Sequence, residues 1–473
     1  MQQNKYYSNR KHITFLILLT VLMLTGNIIS IERFRVFGLV LSAYRVVIPC
    51  ITLYYMCWRI RQNNIKEIIN NYVLIIYVGM IIFWILWGIG LMVISPYVDL
   101  REAIKDFLSL FLGMLSIYCF FELCDSQNAL ETVFKYIRII CSILCIWALV
   151  EIFTGAYLPF SKYYWIKLID KKDTGLVLLQ GLKDAYIYPT TTIFFNINDF
   201  SAFLAIFLPL FYPNRNFRKK DNIIRGLWMI IIIFILSVND SNIAIIATLI
   251  SSIVYFICVA GKRKYAGMMT GLMLFFYTIG NKLVFSALVY IKSCLPIKVP
   301  EAAKKYGDIM ELIRRSQLFN VTEVMEIQVM DAAGGSANSL ACRWQITLSS
   351  LRMTLHSKFM GIGPAAFRKY IEKYEEDSKL VDPHNWWLEI LSQYGIFIFF
   401  AYLIAMLMIF VKVCKLYEIH KEASMLVYIC MCITFCLACI APSNYLSYSY
   451  QWILPAIGIV FIHIKGVTTS SAS

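Results

Sequence analysis

Hydrophobic residues in this chain come in uninterrupted runs of about twenty, not in the alternation of a half-buried strand or the stripe of a soluble amphipathic helix. The runs predict helices over 13–31, 36–57, 72–94, 103–123, 135–155, 194–212, 225–239, 242–260, 265–284, 386–412, 425–441 and 449–465. Lipid offers the backbone no hydrogen-bond partner, so only helices or closed barrels cross it, and barrel strands would alternate. The fold class is therefore an all-α polytopic integral membrane protein with about twelve transmembrane helices. The first run follows Asn9-Arg10-Lys11-His12 like a signal peptide, but no small-residue cleavage site follows it, so it reads as an anchor that stays.

The pattern breaks once, over the polar stretch 285–385, which is far longer than the connection of a few residues usual between packed helices. It divides the chain into helices 1–9 over 1–284, a large extracytoplasmic loop over 285–385, and helices 10–12 over 386–473. Composition agrees: 59% hydrophobic, 15% charged, mean hydropathy +0.66. The net charge of +15 gathers in alternate short loops, at Arg59 to Lys66, Arg215 to Lys220, Lys262-Arg263-Lys264 and Lys412 to Lys421. Basic residues collect on the cytoplasmic side, so the excess sets orientation and implies no nucleic acid. Both termini are then cytoplasmic and the long loop lies outside. Most of the fourteen cysteines sit in apolar runs as small hydrophobes, without zinc spacing.

Candidate chemistry gathers where the loop meets the tenth run, in Asp382-Pro383-His384-Asn385-Trp386-Trp387. Tryptophans favour the membrane interface, and Asp382 and Pro383 suit a helix start, which places His384 at the lip of the bilayer. It is either an interfacial side chain or a base. Arg343 either solvates a loop helix or grips an anion, and Arg352 and Lys358 are further cations of the same loop. Gly361 and Gly363 form a turn, with or without a substrate contact, and Asn385 adjoins the histidine. Asn196, Asn198 and Asp199 open the sixth helix, where capping accounts for at least two of them. Ser241 and Asn242 open the eighth, with Ser241 as cap and free N–H groups that favour anions. Arg45, inside the second expected span, needs a partner, either Glu151 or a lipid phosphate.

These residues also carry a resemblance. Cys342-Arg343-Trp344, Gly361-Ile362-Gly363-Pro364 with Phe367, and Asp382-Pro383-His384-Asn385 to Gly395 resemble, in that order, the O-antigen ligase and Wzy-type polymerase superfamily. Phe195-Asn196-Ile197-Asn198-Asp199-Phe200 is similar to the family's Asn-Pro-Asn-x-Phe-Ala segment, with Ile197 in place of proline. The family's Ser-Arg pair is replaced by Asn239-Asp240-Ser241-Asn242. The resemblance implies a GT-C-like membrane enzyme that moves a glycan from an undecaprenyl-pyrophosphate carrier onto a sugar hydroxyl of a lipid-linked acceptor. It implies His384 as base and Arg343 as the diphosphate's cation, at the outer face of a bacterial cytoplasmic membrane. Membrane lipids, a chain-length regulator and a flippase are the expected partners, and no cofactor is expected. Outer segments hold no Asp-x-Asp, and Glu375-Glu376-Asp377 reads as a solvated run, so no metal is expected. Ligation onto a lipid A core requires an outer membrane, and the Lys/Asn/Ile-rich composition leans the other way, so polymerase is preferred to ligase. A transporter is the rival class, but its paired broken helices in two related halves are not visible in the sequence.

Overall fold

The computed structural model describes residues 2–26, 30–36, 39–62, 71–158, 161–164, 188–213, 218–260, 271, 275, 339–374, 383–442 and 445–470. The chain opens with α1 (Gln2–Thr25), an antiparallel hairpin of β1 (Ser30–Val36) and β2 (Leu39–Ser42), and α2 (Ala43–Arg61). Next come α3 (Tyr72–Ile94), α4 (Leu100–Leu123) and α5 (Gln127–Thr154). Asn71, Asp99 and Ser126 start these three by accepting from backbone N–H groups of the first turn, and left-handed Gly155 ends α5. Then follow α6 (Ile197–Phe207) with a 3-10 turn over Leu208–Phe211, α7 (Lys219–Val238) and α8 (Asn242–Ala260). Beyond the polar stretch lie α9 (Ser339–His356) and α10 (Phe367–Tyr374). The chain closes with α11 (Trp386–His420), α12 (Ala423–Ala438), 3-10 turns over Tyr445–Ser447 and Ser449–Trp452, and α13 (Ile453–Ser470).

Helices α3, α4, α5, α7 and α11 are long and apolar enough to cross a membrane, as a multi-pass membrane protein requires. Large apolar side chains such as Leu86, Ile143, Leu227 and Ile404 face outward, the reverse of a soluble protein and the arrangement lipid favours. The ninth expected span, 265–284, and most of the loop 285–385 lie outside the described residues, apart from 271 and 275.

Two expectations need correction here. The second apolar run does not begin as a helix at residue 36. Its first residues pair as β2 with β1, and the helix starts only where the Ser42 hydroxyl accepts from Arg45 N–H at 3.2 Å, so among the described residues the regular structure is helical apart from one hairpin. Arg45 accordingly stands in the first turn of α2 and not within its apolar middle. The tenth run, expected to be one helix over 386–412, reaches His420 and is broken at Gly395, whose φ of +81° and ψ of −178° are not helical.

At the break α11 turns back on itself, so that Trp386 packs beside Tyr402, and the two ends of the described bundle are set by α12, whose sixteen residues from just past Glu422 to just before Cys439 span about 24 Å at 1.5 Å per residue. The Trp386 N–H bonds to Cys439 O, which brings the end of α12 to the His384 face. Gln127 Nε2 donates to Ser424 Oγ at 3.3 Å, which brings the start of α5 to the other face.

Candidate active site

The start of α11 is fixed from both sides. Asn385 Oδ1 accepts from the N–H groups of Trp387 at 3.0 Å and Leu388 at 3.3 Å, and Asn385 O accepts from Glu389 N–H at 2.8 Å. Asn385 is thus the helix cap. Trp386 is 1% exposed, wedged against Trp84 and Tyr402 with ring centres 5.9 Å from each. The Trp387 indole N–H donates to Cys436 O at 3.0 Å. The tryptophans expected at the membrane interface therefore act differently: Trp386 belongs to the core, and Trp387 ties α11 to α12. His384 stands half-buried just ahead of this anchored turn, between buried Pro383 and the cap, with φ +42°. Histidine is among the few side chains enriched in that left-handed region, so the cost is modest, and the conformation fixes the direction in which the Cα–Cβ bond leaves the chain.

The glycine turn is seated on the break in α11. In an unbroken helix Ile396 N–H would donate to Ser392 O and Phe397 N–H to Gln393 O. Instead Ile362 N–H donates to Ser392 O and Gly363 N–H to Gln393 O, both at 2.9 Å, while Ile396 N–H donates to Phe359 O at 2.9 Å. Trp87 Nε1 closes the junction by donating to Tyr394 O at 2.8 Å, and Ser95 Oγ donates to Ile362 O. Gly361 has φ +95°, and a Cβ there would lie 2.6 Å from Gln393 O; on Gly395 it would lie 2.3 Å from Met360 O. Both glycines are thus explained by backbone meeting backbone. Tyr394, just before the break, donates from its hydroxyl to Asp106 Oδ2 at 3.1 Å.

Helix α9 buries the stripe Ile346, Ser349, Ser350, Met353 and Thr354, and Ile346 and Met353 join a small satellite core with Ile362, Phe367 and Tyr370. Arg343 lies on α9 three residues before Ile346; its side chain lies outside the described residues. Arg352 and Lys358 are exposed. On the outside of the satellite core Tyr97 and Tyr374 share a hydroxyl hydrogen bond of 2.7 Å, and that bond pushes Tyr97 up to about 12.

A third group, less visible in the sequence, lies where the ends of α5 and α7 meet the segment before α6. Glu151, fully buried, accepts from Thr190 Oγ1 at 2.6 Å, from the N–H groups of Thr191 and Thr192 at 2.9 Å each, and from Trp147 Nε1 at 3.2 Å. Those partners replace Arg45 as the expected mate of Glu151. Asn239 bridges Thr190 N–H, Thr190 O and Ser201 Oγ. Thr192 and Asp240 both have positive φ, at 52° and 50°, and for a β-branched threonine that is a genuine outlier. Ser241 starts α8 through its carbonyl, which accepts from Ile245 N–H; its buried hydroxyl has no partner among the described residues, so it is not the side-chain cap expected. Asn242, next to it, is exposed.

Asn196 caps α6 by accepting from Asn198 N–H at 3.2 Å, Asn198 is half-buried, and fully buried Asp199 accepts from the Tyr448 hydroxyl at 2.5 Å. Lys162, missed by the sequence reading, docks beside them through its N–H to Phe195 O. Burial pushes its ammonium down from the ordinary lysine value while Asp199 holds it up. The His384 turn is linked to Cys439 past the end of α12, and Asp199 to Tyr448 a few residues on, so the two groups share one connecting segment.

Two comparisons with known proteins fit this arrangement. Residues 227–403 match the family model described as O-antigen ligase. Over 400 residues, 82% of this chain and 72% of the other, the sequence is 21% identical to the teichuronic acid biosynthesis protein TuaE of Bacillus subtilis (strain 168). The stretch matched by the family model includes Arg343, the glycine turn and the His-Asn helix start in the order the resemblance requires, and the two comparisons together support a likeness to the O-antigen ligase and Wzy-type superfamily.

Proposed function

We propose that this chain polymerises a surface polysaccharide by transferring a glycan from undecaprenyl pyrophosphate to a sugar hydroxyl of a lipid-linked repeat unit, at the outer face of the cytoplasmic membrane. Similarity to the O-antigen ligase family model supports glycan transfer, and a relative named for teichuronic acid biosynthesis supports a polymer as product. The observation that carries the reading is the backbone of His384, held at φ +42° against a capped and anchored helix start.

In the reaction the acceptor hydroxyl oxygen bonds to the anomeric carbon of the donor sugar as the bond from that carbon to the diphosphate oxygen breaks. The hydroxyl proton passes to His384, and the diphosphate leaves with the bonding pair. A positioned base of near-neutral pKa contributes about 10²–10⁴-fold to such a step. The leaving group is already a stable anion, so it needs charge more than a proton, and the planar fork of Arg343 matches a phosphate with two N–H donors. Lys162, Arg352 on α9 and Lys358 just past that helix are the further cations of these segments in this reading. The chemistry needs no metal in this reading.

Purified protein in liposomes, supplied with lipid-linked repeat units and EDTA, tests it. A ladder of products at multiples of one repeat is expected. Transfer of single units to a different acceptor, or activity that returns only with magnesium, would contradict it.

A further inference from the structure

A cavity of about 680 Å³ opens near Glu422, among the starts of α5, α7 and α12 and the ends of α6 and α8. Lys135, Arg138 and Arg225 line it, with Glu131, Glu422 and Gln127. Of its acids, Glu422 is engaged by Lys465, and Glu131 offsets part of the charge of Arg138. Arg138 and Arg225 are close enough to repel one another. Arg225 gives one Nη1 hydrogen to Leu210 O at 3.1 Å, and Asp221 attracts it electrostatically. The Oε1 atom of Gln127 is buried without a partner among the described residues, while its Nε2 reaches Ser424. Glu422 makes no side-chain cap to α12, so the free N–H groups of that helix's first turn, at Ala423 and Ser424, also border the cavity.

Two guanidiniums brought together in a partly dehydrated space cost free energy unless an anion lies between them, and the planar forks fit phosphate oxygens. We propose that this cavity binds a phosphate group, held between Arg138 and Arg225 at the membrane face opposite the candidate active site. Basic pockets between membrane helices take the phosphodiester headgroups of anionic lipids, and the same chemistry would accept inorganic phosphate from solution. The inference is independent of the proposed reaction.

The test uses the full chain in nanodiscs of phosphatidylcholine, with thermal unfolding followed as phosphatidylglycerol is introduced or inorganic phosphate is added. One or both should raise the Tm to a plateau, and Arg138→Gln combined with Arg225→Gln should abolish the rise. A rise with phosphatidylglycerol alone assigns the site to lipid, and an equal rise with inorganic phosphate assigns it to a soluble anion. Each shift is read against the same protein without ligand, because the double variant loses the Arg225 bond to Leu210 O as well as the like-charge contact. If the double variant fails to fold, Arg138→Gln alone takes its place with the same reading. No rise with either probe, or the same rise in wild type and variant, would overturn the proposal.

Discussion

The glycine turn at 361–363 and the helix start at 383–385 meet the same helix, and both pass through left-handed backbone, but packing explains the two to different degrees. At the turn, two positive φ values answer to a backbone atom that leaves no room for a side chain, Gln393 O against Gly361 and Met360 O against Gly395, while Gly363 is pressed by the side chain of Val98. At the helix start the positive φ falls on a titratable residue, with Asn385 satisfying the first N–H groups and Trp386 filling the core behind it. A left-handed glycine with backbone pressed against it points to architecture. A left-handed histidine at the mouth of a polar loop points to chemistry.

Substitutions sharpen that contrast. Gly395→Ala should be the most damaging to stability, a loss of about 3 kcal/mol or more, because strain at positive φ adds to a clash with backbone that cannot move aside. Thermal unfolding in detergent should show it, while Gly226→Ala on α7, where a Cβ meets nothing within 4 Å, should cause no loss. Comparable effects at Gly395 and Gly226 would remove the claim that the break is built by close approach. Glu151→Ala should cost about 3 kcal/mol in the same assay by leaving the buried donors of Thr191 and Thr192 unpaired. A silent Glu151→Ala would mean that the threonine turn holds itself. Asn385→Ala should cost about 1 kcal/mol, the ordinary price of a lost cap, and turnover should fall through disorder at His384. Unchanged stability with lost turnover would instead make Asn385 a substrate contact.

Much of the helical framework was legible because lipid leaves the backbone few alternatives to a helix, and runs such as 72–94 coincide with an observed helix at both ends. The break at Gly395 was not. It rests on hydrogen bonds exchanged with Phe359, Ile362 and Gly363, some thirty residues away in sequence, and a lone glycine in an apolar run carries no local mark of that exchange. The burial of Trp386 was hidden for a similar reason: Trp84 and Tyr402 come from other turns and helices, whereas a Trp-Trp pair beside a loop looks like an interface anchor. Around the candidate site, the Asn385 and Asn196 caps could be read from local sequence. Glu151 with its threonines and Lys162 beside Asp199 could not, since each joins segments tens of residues apart. The Thr190-Thr191-Thr192 run just before Asn196 is the one sequence signal that marked the place.

The central claim is that His384 is the base, and the most direct measurement is the set of lipid-linked intermediates in cells carrying His384→Ala at normal protein level, beside Arg343→Lys. Loss of the base should abolish polymer, and loss of the planar fork should impair it severely although the charge is kept. In both, single lipid-linked repeat units should accumulate. Polymer of wild-type length in the His384→Ala cells would contradict the account.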